Sequence, residues 1–179
     1  SFGNSDALGY IGNAKHLIAG EGFREAGILS ALRPPVYPLF LAAFLKLGLP
    51  LLSLPVIQAL IFSAAAVLLY KLGKLLFSER TGKIAGFIFG LEPLLAITTI
   101  MALPETLLIL FLIFFFYLLS LSYLKNTGGK GLLFLSGVVL GLAPLTKPVA
   151  IYLPFVVALF IAVNALASGE WKKNLTALA

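Results

Sequence analysis

The 179-residue chain has no cysteine and a single histidine. Without thiols it has no disulfide framework, thiolate nucleophile, iron–sulfur cluster or cysteine zinc site. One imidazole excludes a multi-histidine metal centre. Charge is scarce as well: 11% of residues are charged and 60% are apolar, against about a quarter and about half in an ordinary soluble domain. A globule of this size could not hide so much apolar surface behind so few charges. Disorder is excluded for the same reason. The mean hydropathy of +1.06 points to a polytopic membrane protein.

A spanning helix needs about 20 mostly apolar residues. Such runs predict spans at residues 54–77, 83–102 (interrupted by Glu92-Pro93), 104–124, 131–146 (short) and 148–168. Pro104 and Pro148 suit first helical turns, where no amide hydrogen is needed. Asn126-Thr127-Gly128-Gly129 reads as a turn. The expected fold class is all-α: a polytopic membrane helix bundle of about five spanning helices, with residues 51–179 forming the bundle and 1–50 an external layer. Gly86/Gly90 and Gly137/Gly141 are small-residue pairs that let helices approach closely. No internal repeat is evident. The chain begins without Met and reads as an internal piece of a longer protein.

The net charge of +6 is unevenly placed. With alternating spans, one side receives Lys71, Lys74, Arg80, Lys83, Lys125, Lys130, Lys172 and Lys173 against Glu79 and Glu170. The other receives Lys15, Arg24, Arg33, Lys46 and Lys147 against Asp6, Glu21, Glu25, Glu92 and Glu105, and is neutral. The basic side is cytoplasmic by the positive-inside rule. The excess therefore speaks for membrane orientation and against nucleic acid. Residues 1–50 and the turns at 101–105 and 144–148 face outward.

That outer face carries the unusual residues. Residues 6–19 form an amphipathic helix with Ala7, Leu8, Ile11, Ala14, Leu17 and Ile18 on one stripe, suited to lying on a membrane surface and ended by Gly20 and Gly22. Asp6 starts it, and Tyr10 lies one turn on, on the same face. By spacing alone Asp6 is equally a helix cap. Arg33-Pro34-Pro35-Val36-Tyr37-Pro38 fixes an extended approach to a second interfacial helix, 35–48. Arg33 and Lys147 also suit headgroup anchors, and Glu105 a helix-dipole partner. Glu92 falls inside the second span, where a charge is costly.

Taken in order, Ser5-Asp6-Ala7-Leu8-Gly9-Tyr10, Arg33-Pro34-Pro35-Val36-Tyr37-Pro38-Leu39-Phe40, Leu76-Phe77-Ser78-Glu79-Arg80, Pro104-Glu105-Thr106-Leu107 and Gly141-Leu142-Ala143-Pro144-Leu145-Thr146-Lys147-Pro148 resemble glycosyltransferase family 39. These are the relatives of dolichyl-phosphate-mannose–protein mannosyltransferases and of the aminoarabinose transferase of lipid A. The resemblance covers nearly the whole chain. It implies a GT-C fold, with two interfacial helices in a large first external loop, a span before Ser1 and more beyond Ala179. It implies transfer of a sugar from a polyprenyl-phosphate carrier to a lipid, glycan or protein acceptor, usually with inversion, on the non-cytoplasmic face of the plasma (inner) membrane. It makes Asp6 the base or site-organising carboxylate and Glu105 a second acidic residue of the site. Glu92 departs from the pattern.

The chemistry agrees. Attack at an anomeric carbon needs a base near the acceptor hydroxyl, and a carboxylate serves. The leaving lipid phosphate gains charge, which fixed cations stabilise best in a dry site. Arg33 and Lys147 are the expected phosphate ligands, with Tyr10 and Tyr37 completing the donor-binding set. No Asp-x-Asp, the mark of many nucleotide-sugar enzymes, occurs. Two carboxylates leave the metal question open: a divalent cation held with waters, or none. The alternative class is a membrane transporter or lipid flippase, which would concentrate polar groups near the midplane.

Overall fold

The computed structural model describes residues 5–25, 28–29, 32–125 and 129–167. Glu170, Lys172, Lys173 and most of the Asn126-Thr127-Gly128-Gly129 turn lie outside them. The described helices are α1 (Ser5–Ile18), α2 (Val36–Lys46), α3 (Leu54–Leu76), α4 (Glu79–Gly90), α5 (Pro93–Thr98), α6 (Glu105–Lys125), α7 (Gly129–Thr146) and α8 (Leu153–Ala167). Between α1 and α2, Arg24–Glu25 and Ile28–Leu29 pair as a short antiparallel ribbon. The all-α membrane bundle expected from composition is what forms.

In α1, Asp6 occupies the first turn and Lys15 and His16 the last, the signs a helix dipole favours. Gly20, at φ 77°, turns the chain out of the helix. The buried stripe is Ala7, Tyr10, Ile11 and Ala14; Leu8 and Ile18, expected within it, are exposed. Contact with α2 buries a narrower strip than a flat membrane surface would. Pro35 precedes α2, and Gly48 at φ 74° follows it.

Of the five expected spans, two are helices long and apolar enough to cross a membrane unaided, Leu51–Leu76 and Glu105–Leu124. The second span, 83–102, is divided. Pro93 has no amide hydrogen and keeps Glu92 extended (ψ 107°), so α4 stops and Glu92 caps α5, accepting from the Leu94 amide at 3.2 Å. Glu92 is thus a cap at a helix break, not a charge inside a continuous span. The fifth span opens as a 3-10 turn, Pro148–Tyr152, before α8.

The layers pack by different means. α3 and α4 meet backbone to backbone. A Cβ on Gly82 would lie 2.4 Å from the Tyr70 carbonyl oxygen, and one on Gly86 3.1 Å from that of Ala66. The Gly86/Gly90 stripe therefore extends to Gly82. Gly137 and Gly141 have nothing within 4 Å of a built Cβ among the described residues, so the close approach expected there is not made. α6 and α7 join through Phe115, Leu118, Val139 and Leu140. α1 and α2 share one core with the bundle: Ala7, Tyr10, Tyr37 and Leu41 pack with Leu54, Leu103 and Leu107. That core sets the height of α1 and α2 over the starts of α3 and α6.

Candidate active site

Asp6 and Tyr10 stand one turn apart on α1, so both reach the same neighbour. That neighbour is Arg33. Its Nη1 donates to Asp6 Oδ1 at 3.1 Å, and its guanidinium lies 4.8 Å from the centre of the Tyr10 ring, a cation–π distance. Gly9 leaves the space for it: a Cβ there would fall 2.5 Å from Arg33 Cζ, Nε and Nη2. The Arg33 side chain is 17% exposed and that of Asp6 65%. The cation is enclosed while its carboxylate partner stays open to solvent.

Tyr37 continues the cluster inward. Its ring meets Tyr10 edge to face at 5.1 Å and stacks on Phe40 at 5.8 Å. Its hydroxyl donates to Gln58 Oε1 at 2.9 Å. Burial pushes the Tyr10 phenol above its ordinary pKa against the opposing pull of Arg33. Burial raises Tyr37 as well, and the negative charge of Glu105 adds to the effect. Both phenols are therefore neutral across physiological pH.

Glu105 opens α6, directly after Pro104. Lys147 is an extended residue (φ −148°, ψ 132°) between α7 and Pro148. Lys147 Nζ donates to Glu105 Oε1 at 2.5 Å. The pair is partly buried, with side chains 34% and 26% exposed. The other carboxylate oxygen, Glu105 Oε2, is buried and has no hydrogen-bond partner among the described residues. No group of three or more His, Asp or Glu side chains gathers to hold an ion among them.

A cavity of about 450 Å³ lies between the two corners, walled by Phe23, Leu32, Arg33, Pro34 and Pro35 on one side and by Pro144, Leu145, Pro148 and Ile151 on the other. Its lining is apolar apart from Arg33, and Lys147 falls between two of its wall residues. The structure thus brings Asp6, Tyr10, Arg33 and Tyr37 into one cluster and Glu105 and Lys147 into a neighbouring pair. Sequence reasoning missed Gly9 and Gln58. Gln58, the chain's only glutamine, is also the only side-chain amide of its long apolar helix, and that was the available signal.

A bundle of apolar helices with paired charges and aromatic rings at one end defines a polytopic membrane protein with a polar site at the mouth of the bundle. Its sequence matches the dolichyl-phosphate-mannose-protein mannosyltransferase family over residues 32–179, and the chain belongs to that family. Membership makes it a membrane glycosyltransferase of the GT-C type. No curated protein and no solved structure gives a match. Arg33, Tyr37, Glu105 and Lys147 lie within the matched stretch; Asp6 and Tyr10 precede it.

Proposed function

We propose that the chain carries the donor site of a glycosyltransferase that moves a sugar from a polyprenyl-phosphate carrier to an acceptor on the non-cytoplasmic side of the plasma (inner) membrane. One observation carries the reading: two carboxylate–cation pairs stand at one end of the bundle, and Arg33 of the first lines an otherwise apolar cavity. A ligand suited to that wall has an anionic head joined to a hydrocarbon tail. A prenyl phosphate has both, with the first isoprene units against the prolines and the phosphate at Arg33 and Lys147.

The pairing supplies a sequence of events. The incoming phosphodiester competes with Asp6 for the Arg33 guanidinium. Each contact it gains loosens Asp6, whose exposure leaves it open to the acceptor. The acceptor oxygen attacks the anomeric carbon, and its proton passes to the Asp6 carboxylate. The bond from the anomeric carbon to the phosphate oxygen breaks, its electron pair staying with the phosphate. Arg33 and Lys147 hold the monoester so formed, one as a planar fork and one as a point charge. A single displacement of this kind inverts the sugar. Glu105 keeps Lys147 in place through one oxygen and offers Oε2 to a sugar hydroxyl. Tyr10 and Tyr37 pack the floor beneath Arg33. Residues 1–50 serve as the external layer that covers the bundle mouth.

The test is transfer by the full-length protein in liposomes from radiolabelled polyprenyl-phosphate sugars to lipid, glycan or protein acceptors, with and without a chelator. Activity with nucleotide sugars and none with prenyl-linked donors would reject the reading. Single cysteines at Gly12 and Arg80 should label from opposite sides with an impermeant thiol reagent. Labelling from one side only would overturn the orientation.

A further inference from the structure

Gln58 occupies an odd position for an amide. It lies in the second turn of a 23-residue apolar helix, 1% exposed, where an unsatisfied polar group would be costly. Its hydrogen-bonding groups are all engaged across three segments. Oε1 accepts from the Tyr37 hydroxyl of α2. Nε2 donates to the carbonyl of Thr98, the last residue of α5, and to that of Leu103, two residues before Glu105; both contacts are 3.4 Å, longer than the usual range of about 2.7–3.2 Å, as one NH₂ group shared between two carbonyls would be. An amide accepts on one atom and donates twice on the other, and this junction asks for both.

The loop so clasped is itself strained. Ala102, fully buried, has φ 50°, a left-handed conformation that costs a side-chain-bearing residue about 1 kcal/mol or more. Thr98 and Leu103 flank it, so Gln58 bridges the loop on either side of the unfavourable residue. Beyond Leu103 come Pro104, Glu105 and, through its ion pair, Lys147. In the other direction Tyr37 touches Tyr10, and Tyr10 carries Arg33. One continuous set of contacts joins the two charged pairs, and Gln58 is its link between the external layer and the bundle.

We propose that Gln58 is a positioning residue that fixes the Glu105–Lys147 pair relative to the Asp6–Arg33 pair, so that both cations meet one phosphate. The proposal rests on the reading that both pairs serve one prenyl-phosphate donor. Gln58 touches no substrate; it acts through the 99–104 loop and through Tyr37. Its loss lowers the rate of transfer more than the affinity for the donor, because one cation alone still captures the phosphate while two in register stabilise the leaving group.

The experiment uses the full-length enzyme in nanodiscs. Gln58→Leu removes all three bonds and is expected to lower kcat about ten- to a hundredfold per folded molecule, while binding of non-transferable prenyl phosphate weakens less than about threefold. Gln58→Glu gives a readout that simple packing would not move. As a neutral acid, Glu accepts from Tyr37 and donates to one carbonyl; ionised, it turns oxygens alone toward two carbonyls. Its activity should approach wild type at low pH and fall as pH rises, along a limb absent from wild type. Unchanged kcat in Gln58→Leu, or a Gln58→Glu profile parallel to wild type, overturns the proposal. If Gln58→Leu does not fold, the Gln58→Glu profile decides. A wild type that binds no prenyl phosphate sinks the donor reading instead. Spin labels at Gly12→Cys and Val149→Cys, in a cysteine-free background, then judge Gln58 alone: a distance distribution unaltered by Gln58→Glu at high pH refutes it.

Discussion

The two ends of the bundle use charge and glycine in opposite ways. At the α3–α4 turn, Glu79 is bracketed by Lys74 at 3.1 Å and Lys83 at 3.0 Å, all about half or more exposed. Such pairs are screened and contribute little. The structure there is held by glycine: Gly73, Gly82 and Gly86 bring two backbones together, and Ser78 caps α4 by accepting from the Thr81 amide. At the other end Arg33 is enclosed and Lys147 partly buried, and Gly9 makes room for a side chain instead of a backbone. One end uses small residues to build the scaffold and leaves its charges to water and headgroups. The other uses a small residue to seat a charge, and its charges are the ones proposed to carry the chemistry.

Breaking the end that holds the Asp6–Arg33 and Glu105–Lys147 pairs should cost turnover first. Asp6→Asn keeps the shape and an acceptor oxygen for Arg33 but removes the proposed base, so transfer should fall by about 10²- to 10⁴-fold at unchanged folded yield. Full activity in that variant would remove Asp6 from the chemistry and leave it a structural partner of Arg33. Arg33→Ala and Lys147→Ala should each lower turnover by about 10- to 10³-fold, or roughly 1.4–4 kcal/mol of transition-state stabilisation. Headgroup anchors would instead lose insertion and keep turnover.

The glycines sharpen the contrast at smaller magnitude. Gly9→Ala should cut turnover about tenfold or less while the melting temperature holds, because the displaced Arg33 terminus is flexible. Gly82→Ala should do the reverse. Its Cβ meets the Tyr70 carbonyl and the Lys74 amide, neither of which gives way easily, so stability should fall by about 1–3 kcal/mol with turnover per folded molecule intact. Assaying both variants for melting and activity settles the pairing; the same profile in both would erase the distinction.

The smallest effect is in pH. Tyr37 has its pKa raised by burial in the fold, so its share of stability is complete below the unfolded phenol value near 10 and is lost as pH climbs beyond it. Alkaline melting of wild type should therefore steepen above pH 10, and Tyr37→Phe should flatten it. Lys74→Ala, at the other end, should leave melting and turnover unmoved at every pH tested.

Much of this architecture was legible because its causes are local. The α1 stripe, the Pro34-Pro35 corner and the long runs of α3 and α6 follow from periodicity, proline geometry and apolar length. The interruption at Glu92-Pro93 is local too and is visible in the run; what the run does not show is that Glu92 caps the helix after the break, so it reads as a costly charge within a span. The site was legible as a set of residue types on one face. Its pairing was not, because Asp6 and Arg33 are 27 residues apart and Glu105 and Lys147 are 42. Gln58 was hidden for the same reason: an amide in an apolar run reads as an imperfection until three distant partners converge on it. Gly137/Gly141 shows the converse, since the motif is present and no described helix meets it.

Ala102 has a consequence for how such a chain evolves. Glycine would sit there without strain, and on backbone grounds alone the exchange is favourable. It would also relax the tether that holds Glu105, because glycine admits many loop shapes where alanine under tension admits few. The Ala102 methyl is fully buried in the core, so burial and backbone preference pull this position in opposite directions. The buried methyl and the tether proposed for Glu105 both favour alanine where conformational preference alone would choose glycine.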